Sequence, residues 1–202
     1  MEQIINKIKY IKRIINRVQL LPVKFWFYTK KVGYQTYIYS RYIKIKSIRD
    51  ICIGNGCKIM AGARIETISN YAGVSFRPQI IIKDGVCINQ NFHCTCAESI
   101  VIGAGTSITA NCGIFDIEHP YTNINVNPRK AEISVNAVSI GENSLIGMNS
   151  VIMPGAHLGK HTVVGANSTV LKGNYPDYCV LAGSPAKIIK RYDEAINKWV
   201  SL

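Results

Sequence analysis

The chain has 202 residues, 48% hydrophobic and 18% charged, with 16 Gly, 7 Pro and a formal net charge of +12. That hydrophobic content in so varied a sequence excludes a disordered or fibrous chain, and the length suits one domain with its own core and an appendage. Charged residues interrupt every stretch that approaches the roughly 18 apolar residues of a membrane span, so no transmembrane helix is expected.

The charge is concentrated at the start. Residues 1–49 carry twelve basic residues against the single acidic Glu2, whereas residues 50–202 carry twelve basic and eleven acidic residues and are nearly neutral. Within the first segment Ile4, Ile5, Ile8, Ile11, Ile15, Val18 and Leu21 recur at helical spacing, and Leu21-Pro22 ends the pattern because the residue before proline leaves helical geometry. Lys or Arg recurs every few positions, without the compact apolar run of a secretory signal, so a cytoplasmic protein is expected. An aromatic and basic stretch follows, including Phe25, Trp26, Tyr28, Lys30 and Lys31. A basic amphipathic helix followed by aromatics suits either a cap over the end of the core or contact with an anionic membrane at its inner face. No nucleic-acid-reading motif accompanies it, and no nucleic-acid partner is expected.

From residue 50 an aliphatic residue returns every six positions: Ile53, Ile59, Ile65; Ile82, Ile88 and the substitute Cys94; Ile102, Ile108, Ile114; then Ile140, Ile146, Ile152, Leu158, Val164 and Val170. Four positions after most of these comes a small residue, such as Cys57, Ala63, Thr106, Cys112, Ser144, Ser150, Ala156, Thr162 or Ser168. A six-residue period fits neither a helix nor an ordinary sheet, but it marks a parallel β-helix repeat. Each rung is then a short strand and a turn, three rungs close one coil, and the aliphatics stack as interior ladders. The seven cysteines are odd in number and contain no CxxC pair, which argues against a disulfide framework or a structural zinc site. Cys57 and Cys112 instead take small corner positions, and Cys94 stands in for an aliphatic. The phase breaks twice, weakly over residues 66–81 and outright over residues 115–139, where a polar loop rich in Asn and Pro leaves the stack. Such insertions in a solenoid commonly carry function.

The hexapeptide pattern, the loop bearing His119-Pro120 and the closing AGSPAKIIK from Ala182 to Lys190 resemble the left-handed β-helix acyltransferases. The likeness is to galactoside and maltose acetyltransferases and polysaccharide O-acetyltransferases in particular, and it spans residues 50–192. It implies an all-β fold, a left-handed parallel β-helix over residues 50–181 with the 115–139 loop protruding. The basic helical extension 1–49 precedes it, and a coenzyme-binding tail with a short helix over residues 182–202 follows. Handedness comes from the resemblance, since periodicity does not give it. The resemblance further implies acetyl-CoA as co-substrate, no metal, and a homotrimer whose coenzyme grooves lie between prisms.

Acetyl transfer to a hydroxyl needs a base near the acceptor. His119 matches the family's catalytic histidine and lies between Asp116, Glu118 and Pro120, where a carboxylate or a backbone carbonyl can orient the imidazole. Asn89 matches an asparagine of the galactoside enzymes' sugar site, whereas an acidic residue of that site falls on Ala97 here, with Glu98 adjacent, so a different acceptor is expected. Lys172, Lys187 and Lys190 match basic positions that contact coenzyme A, and Gly147, Ala166 and Gly183 match positions where the pantetheine arm approaches the backbone. A backbone N–H there could stabilise the thioester oxyanion. His93, His157 and His161 read as structural or surface residues, which disfavours the fold-sharing carbonic anhydrases with their three convergent histidines. The expectation is an acetyl-CoA-dependent sugar O-acetyltransferase for a surface polysaccharide or its precursor. N-acetylation of a nucleotide amino sugar and a non-catalytic β-helix scaffold are the alternatives.

Overall fold

The computed structural model describes residues 32–38, 44–46 and 48–202. The helix expected within residues 1–21 lies outside them. The described chain opens with β1 (Tyr37–Ile38) and β2 (Lys44–Lys46), and a 3-10 turn at Ile48–Asp50 leads into the first complete coil, β3 (Ile51–Ile53), β4 (Lys58–Ile59) and β5 (Arg64–Thr67). A hairpin of β6 (Asn70–Tyr71) and β7 (Val74–Ser75) intervenes. The second coil is β8 (Gln79–Ile82), β9 (Cys87–Ile88) and β10 (His93–Cys96), and the third is β11 (Ser99–Ile102), β12 (Ser107–Ile108) and β13 (Gly113–Phe115). The long loop then leaves through an antiparallel neck, β14 (Ile117–Glu118) with β15 (Ser134–Val135). Next come β16 (Val138–Ile140), β17 (Leu145–Ile146) and β18 (Val151–Ile152), then β19 (Ala156–Leu158), β20 (Val163–Val164) and β21 (Thr169–Val170). The stack closes with β22 (Gly173–Tyr175) and β23 (Cys179–Gly183), after which the chain reverses into β24 (Ala186–Asp193) and β25 (Lys198–Ser201).

Each coil gives one strand to each of three parallel faces, taken in chain order as the first (β3, β8, β11, β16, β19, β22), second (β4, β9, β12, β17, β20, β23) and third (β5, β10, β13, β18, β21). The six-residue period becomes ladders in register: Ile59, Ile88, Ile108, Ile146, Val164 and Leu181 on the second face, and Ile65, Cys94, Ile114, Ile152 and Val170 on the third. All of these are at most 1% exposed. Burying an aliphatic side chain this fully contributes about 1.5–3 kcal/mol, which makes the ladders the main source of stability.

The corners follow from backbone geometry. Between the first and second faces, Gly56, Gly85, Gly105, Asn143, His161 and Tyr178 all have positive φ, and between the second and third faces so do Gly62, Asn91, Asn111, Asn149 and Asn167. Asn tolerates the left-handed region better than most residues, and here its amide adds to the stack. Asn91 donates to Asn111 at 3.0 Å, Asn111 to Asn149 at 3.1 Å, and Asn149 to Asn167 at 3.0 Å. The small corner residues turn inward and satisfy buried carbonyls, as when Ser150 Oγ donates to Gly165 and the Cys112 thiol to Gly147. Burial raises the Cys57 and Cys112 thiol pKa values, the behaviour of structural rather than reactive cysteines.

Two expected boundaries move. The coil begins before residue 50: Val32 bridges Ile53, β1 pairs with β4 and β2 with β5. Val32 and Ile38 keep the six-residue spacing, with Thr36 at the small corner position, but the surrounding aromatics and lysines mask it. At the other end, the short helix expected within residues 182–202 is a β-hairpin. β23 offers an open edge to β24, which pairs with it antiparallel, and the Asp193 carboxylate caps the turn by accepting from Ala195 N–H at 2.9 Å.

Candidate functional site

Both interruptions of the repeat leave the stack at the same corner, between the third and first faces: the hairpin after β5 and the long loop after β13. Between them the second coil turns tightly through Ala97 and Glu98. The sequence holds the signal for this, because six rungs separate the two breaks and three rungs make a coil. The breaks must therefore stack.

Asp116, at the foot of the long loop, is fully buried. Its carboxylate accepts the backbone N–H groups of Ala97, Glu98 and Ser99, each at 2.8 Å, and the Cys96 thiol at 3.1 Å. It does not contact His119, which the sequence suggested it could orient: the buried carboxylate closes the corner of the coil before it. Glu118 is exposed, and its carboxylate has no partner among the described residues. A backbone carbonyl takes the orienting place, with His119 Nδ1 3.3 Å from Pro128 O. A carbonyl only accepts, so Nδ1 carries the hydrogen, and in the neutral ring Nε2 then holds the lone pair. Tyr71, from the hairpin, packs against the imidazole in an edge arrangement at 5.5 Å between ring centres, and its hydroxyl donates to the carbonyl of Arg129. Sequence reasoning missed Tyr71.

Beside the loop's return strand lies a groove of about 430 Å³ lined by Glu98, Asn136, Gly155, His157, Lys172 and Asn174, among others. Two expected site residues, Glu98 and Lys172, thus line the same groove. The Lys172 ammonium donates to Asn136 Oδ1 at 3.0 Å, and His157 Nδ1 lies 2.9 Å from Ser139 Oγ. The other expected residues, Asn89, Gly147, Ala166 and Gly183, lie at the second-to-third corner, across the width of the third face. Lys187 and Lys190 are exposed on β24. Within one prism the two groups stay apart. Of the three backbone approaches, Gly147 N–H already donates to Val164 and Gly183 N–H to Ser168 Oγ. The exposed Ala166 keeps its N–H free of any acceptor among the described residues.

The outer surface of the third face carries a charged cluster between these corners. Arg64 and Glu66 form an ion pair at 2.6 Å, Thr95 Oγ1 lies 3.3 Å from Glu66 and 3.2 Å from His93 Nε2, and the His93 ring meets Phe115 edge-on at 5.1 Å. Burial, reinforced by the Arg64 guanidinium and opposed by Glu66, lowers the His93 pKa from 6.5. His161 packs against Tyr178 rather than turning toward His157. Among the described residues no three His, Cys, Asp or Glu side chains are placed to hold a metal ion, and no helix is long and apolar enough to cross a membrane.

Residues 137–172 match the family model described as bacterial transferase hexapeptide, six repeats. Over 130 residues the chain is 36% identical to WbbJ of Escherichia coli K12, named for lipopolysaccharide biosynthesis O-acetyl transfer. The aligned part spans 61% of this chain and 66% of that protein. Among solved structures, AntD, an N-acyltransferase from Bacillus cereus bound to dTDP-4-amino-4,6-dideoxyglucose and coenzyme A, superimposes with a TM-score of 0.69 at 19% identity, covering 82% of this chain and 86% of its own. The acetyltransferase domain of PglB from Neisseria gonorrhoeae gives a TM-score of 0.54 at 19% identity, over 86% of this chain and 66% of that one. With the hexapeptide match and the shared coil, the chain is a hexapeptide-repeat protein of the left-handed parallel β-helix fold.

Proposed function

We propose that the protein is an acetyl-CoA-dependent O-acetyltransferase that modifies a sugar hydroxyl of a surface polysaccharide or its precursor, with His119 as general base. The observation that carries the reading is the His119 geometry, in which Nδ1 is held by the Pro128 carbonyl and Nε2 is left as a proton acceptor on an exposed loop. Nε2 takes the proton from the acceptor hydroxyl as its oxygen attacks the thioester carbon. The tetrahedral intermediate then collapses with cleavage of the C–S bond, and the departing thiolate receives the proton from His119. No acyl-enzyme is formed. The Ala166 N–H is the donor available to the coenzyme's carbonyl oxygens, and the Lys172, Lys187 and Lys190 ammonium groups suit its phosphates. Asn89 and Glu98 are the candidate acceptor contacts.

The two groups of site residues sit at opposite edges of the third face, so a complete site needs a second prism, whose Ala166 corner would meet the first prism's His119 loop. This supports a homotrimer. The relationship to WbbJ supports the hydroxyl acceptor and the polysaccharide setting. The likeness to AntD favours a second reading, transfer to the amine of a nucleotide amino sugar. The basic segment 1–49 gives the enzyme a means of resting on an anionic membrane near a lipid-linked acceptor.

The test is thiol release from acetyl-CoA against a panel of sugars, polysaccharide fragments and nucleotide amino sugars. His119→Ala should abolish transfer while leaving assembly and coenzyme binding intact, and near-normal turnover would overturn the assignment. Consumption only with amine acceptors would favour the second reading. Absence of any thermal shift with acetyl-CoA would leave a non-catalytic scaffold.

A further inference from the structure

We infer that Tyr71 is the positioning residue for His119, and that the β6–β7 hairpin exists to brace the His119 loop from the coils below. The inference rests on the reading of His119 as the base and concerns how that base is kept in working order.

The segment 119–133 has little holding it to the stack. Its own bonds are local turns, with the Asn123 side chain accepting from Asn125 N–H and the Asn127 side chain from Arg129 N–H, both at 3.0 Å. Ile133, 6% exposed, anchors its return end. Tyr121 and Ile124 are left 75% and 93% exposed. One side chain from outside the loop makes two contacts with it. The Tyr71 hydroxyl donates to the Arg129 carbonyl, and the Tyr71 ring lies edge-on to the His119 imidazole. Arg129 follows Pro128, whose carbonyl is the acceptor for His119 Nδ1. Tyr71 therefore fixes both the imidazole and the peptide next to the one that sets its protonation.

The consequence is chemical as well as mechanical. A neutral histidine side chain in water favours the hydrogen on Nε2, which would remove the lone pair the reaction needs. The Pro128 carbonyl reverses that preference only while it stays within reach of Nδ1, and Tyr71 keeps it there. The hairpin is built to aim this residue. Its turn, Ala72-Gly73, has φ of 49° and 85°, the two positive values of the tight hairpin turn that matches strand twist. Tyr71 pairs directly with Val74 across it. Half-buried Tyr71 is not part of the aliphatic ladders, so its replacement leaves the core intact.

The experiment reads the tautomer directly. In full-length protein labelled with 15N-histidine, the His119 signals are picked out from those of the four histidines by comparison with His119→Ala. His119 should show the hydrogen on Nδ1 in the wild type, remain mostly so in Tyr71→Phe, which keeps the ring but loses the hydroxyl, and shift toward Nε2–H in Tyr71→Ala. Transfer by Tyr71→Ala should fall about 100-fold in kcat with little change in the KM for acetyl-CoA, as expected when a reacting group is displaced by about 1 Å. Tyr71→Phe should fall between. Unchanged tautomers in Tyr71→Ala overturn the inference, as does full activity in that variant when His119→Ala is inactive. Full activity in His119→Ala itself would instead remove the base assignment on which the inference rests.

Discussion

The buried Asp116 Oδ2 accepts the Ser99 backbone N–H at 2.8 Å, joining the start of the His119 loop to the corner of the coil before it. The same carboxylate takes the N–H groups of Ala97 and Glu98, so the residue that seemed to be a partner for His119 is a staple for the polypeptide.

Removing that staple should be costly. Hydrogen bonds to a charged group are worth about 1.5–3 kcal/mol each, and Asp116→Ala would leave three backbone donors, one buried and two part-buried, without this acceptor. A loss of at least about 3 kcal/mol in urea unfolding is expected, after allowing for non-additivity. Asp116→Asn should recover only part of it, because its amide turns donors toward donors. Normal stability with abolished transfer would return Asp116 to a direct catalytic role.

Lys172 joins the loop's return strand to the groove through Asn136. If its ammonium also meets a coenzyme phosphate, Lys172→Ala should raise the KM for acetyl-CoA about tenfold or more, the equivalent of losing one charge-assisted hydrogen bond. Turnover at saturating coenzyme should change far less. Calorimetric titration with coenzyme A checks this, and identical affinities in the two proteins would remove Lys172 from the binding site.

Asn149 combines a φ of 60° with hydrogen bonds to Asn111 and Asn167. Asn149→Ala should destabilise the protein by about 1–2 kcal/mol from the backbone conformation alone, whereas Asn149→Gly accepts the geometry and loses only the amide contacts. Thermal melts should rank wild type above Gly and Gly above Ala. An Ala variant as stable as Gly would show that the corner does not depend on left-handed tolerance.

His93 gives the stability a pH dependence of defined sign. Its folded pKa lies below 6.5, so on acidification the unfolded chain binds this proton first. Stability is therefore lost as pH falls below about 6.5, until the folded value is passed. His93→Gln removes this contribution. Comparing urea midpoints near about pH 7.5 and about pH 5.5, the wild type should lose more than the variant, and equal losses would contradict the assignment.

Much of this was legible in the residues themselves. The ladders, the inward small corners and the substitution of Cys94 between Ile65 and Ile114 follow from a period of six, because spacing alone decides which side chains share an interior column. What spacing could not convey is which backbone donors a side chain meets. Asp116 reads the same in sequence whether it faces a histidine or three amides 17 to 19 residues away. Tyr71 was obscured differently: its segment breaks the period, and its contacts are with another segment that also breaks it. Counting rungs between the interruptions aligns their corners, but the contact itself depends on how far each excursion reaches.

The reversal at β24 has a consequence for the molecule's solubility. A parallel coil is polar and has no natural end, so the last rung of one copy offers hydrogen-bonding groups to the first rung of another, and repetition would grow a filament. The antiparallel β24 and β25 occupy that terminus with strands running the wrong way for continued winding. Chains shortened after Gly183 should accordingly sediment as polymers where the full chain remains a discrete assembly, making the final nineteen residues a growth arrest as much as a part of any binding site.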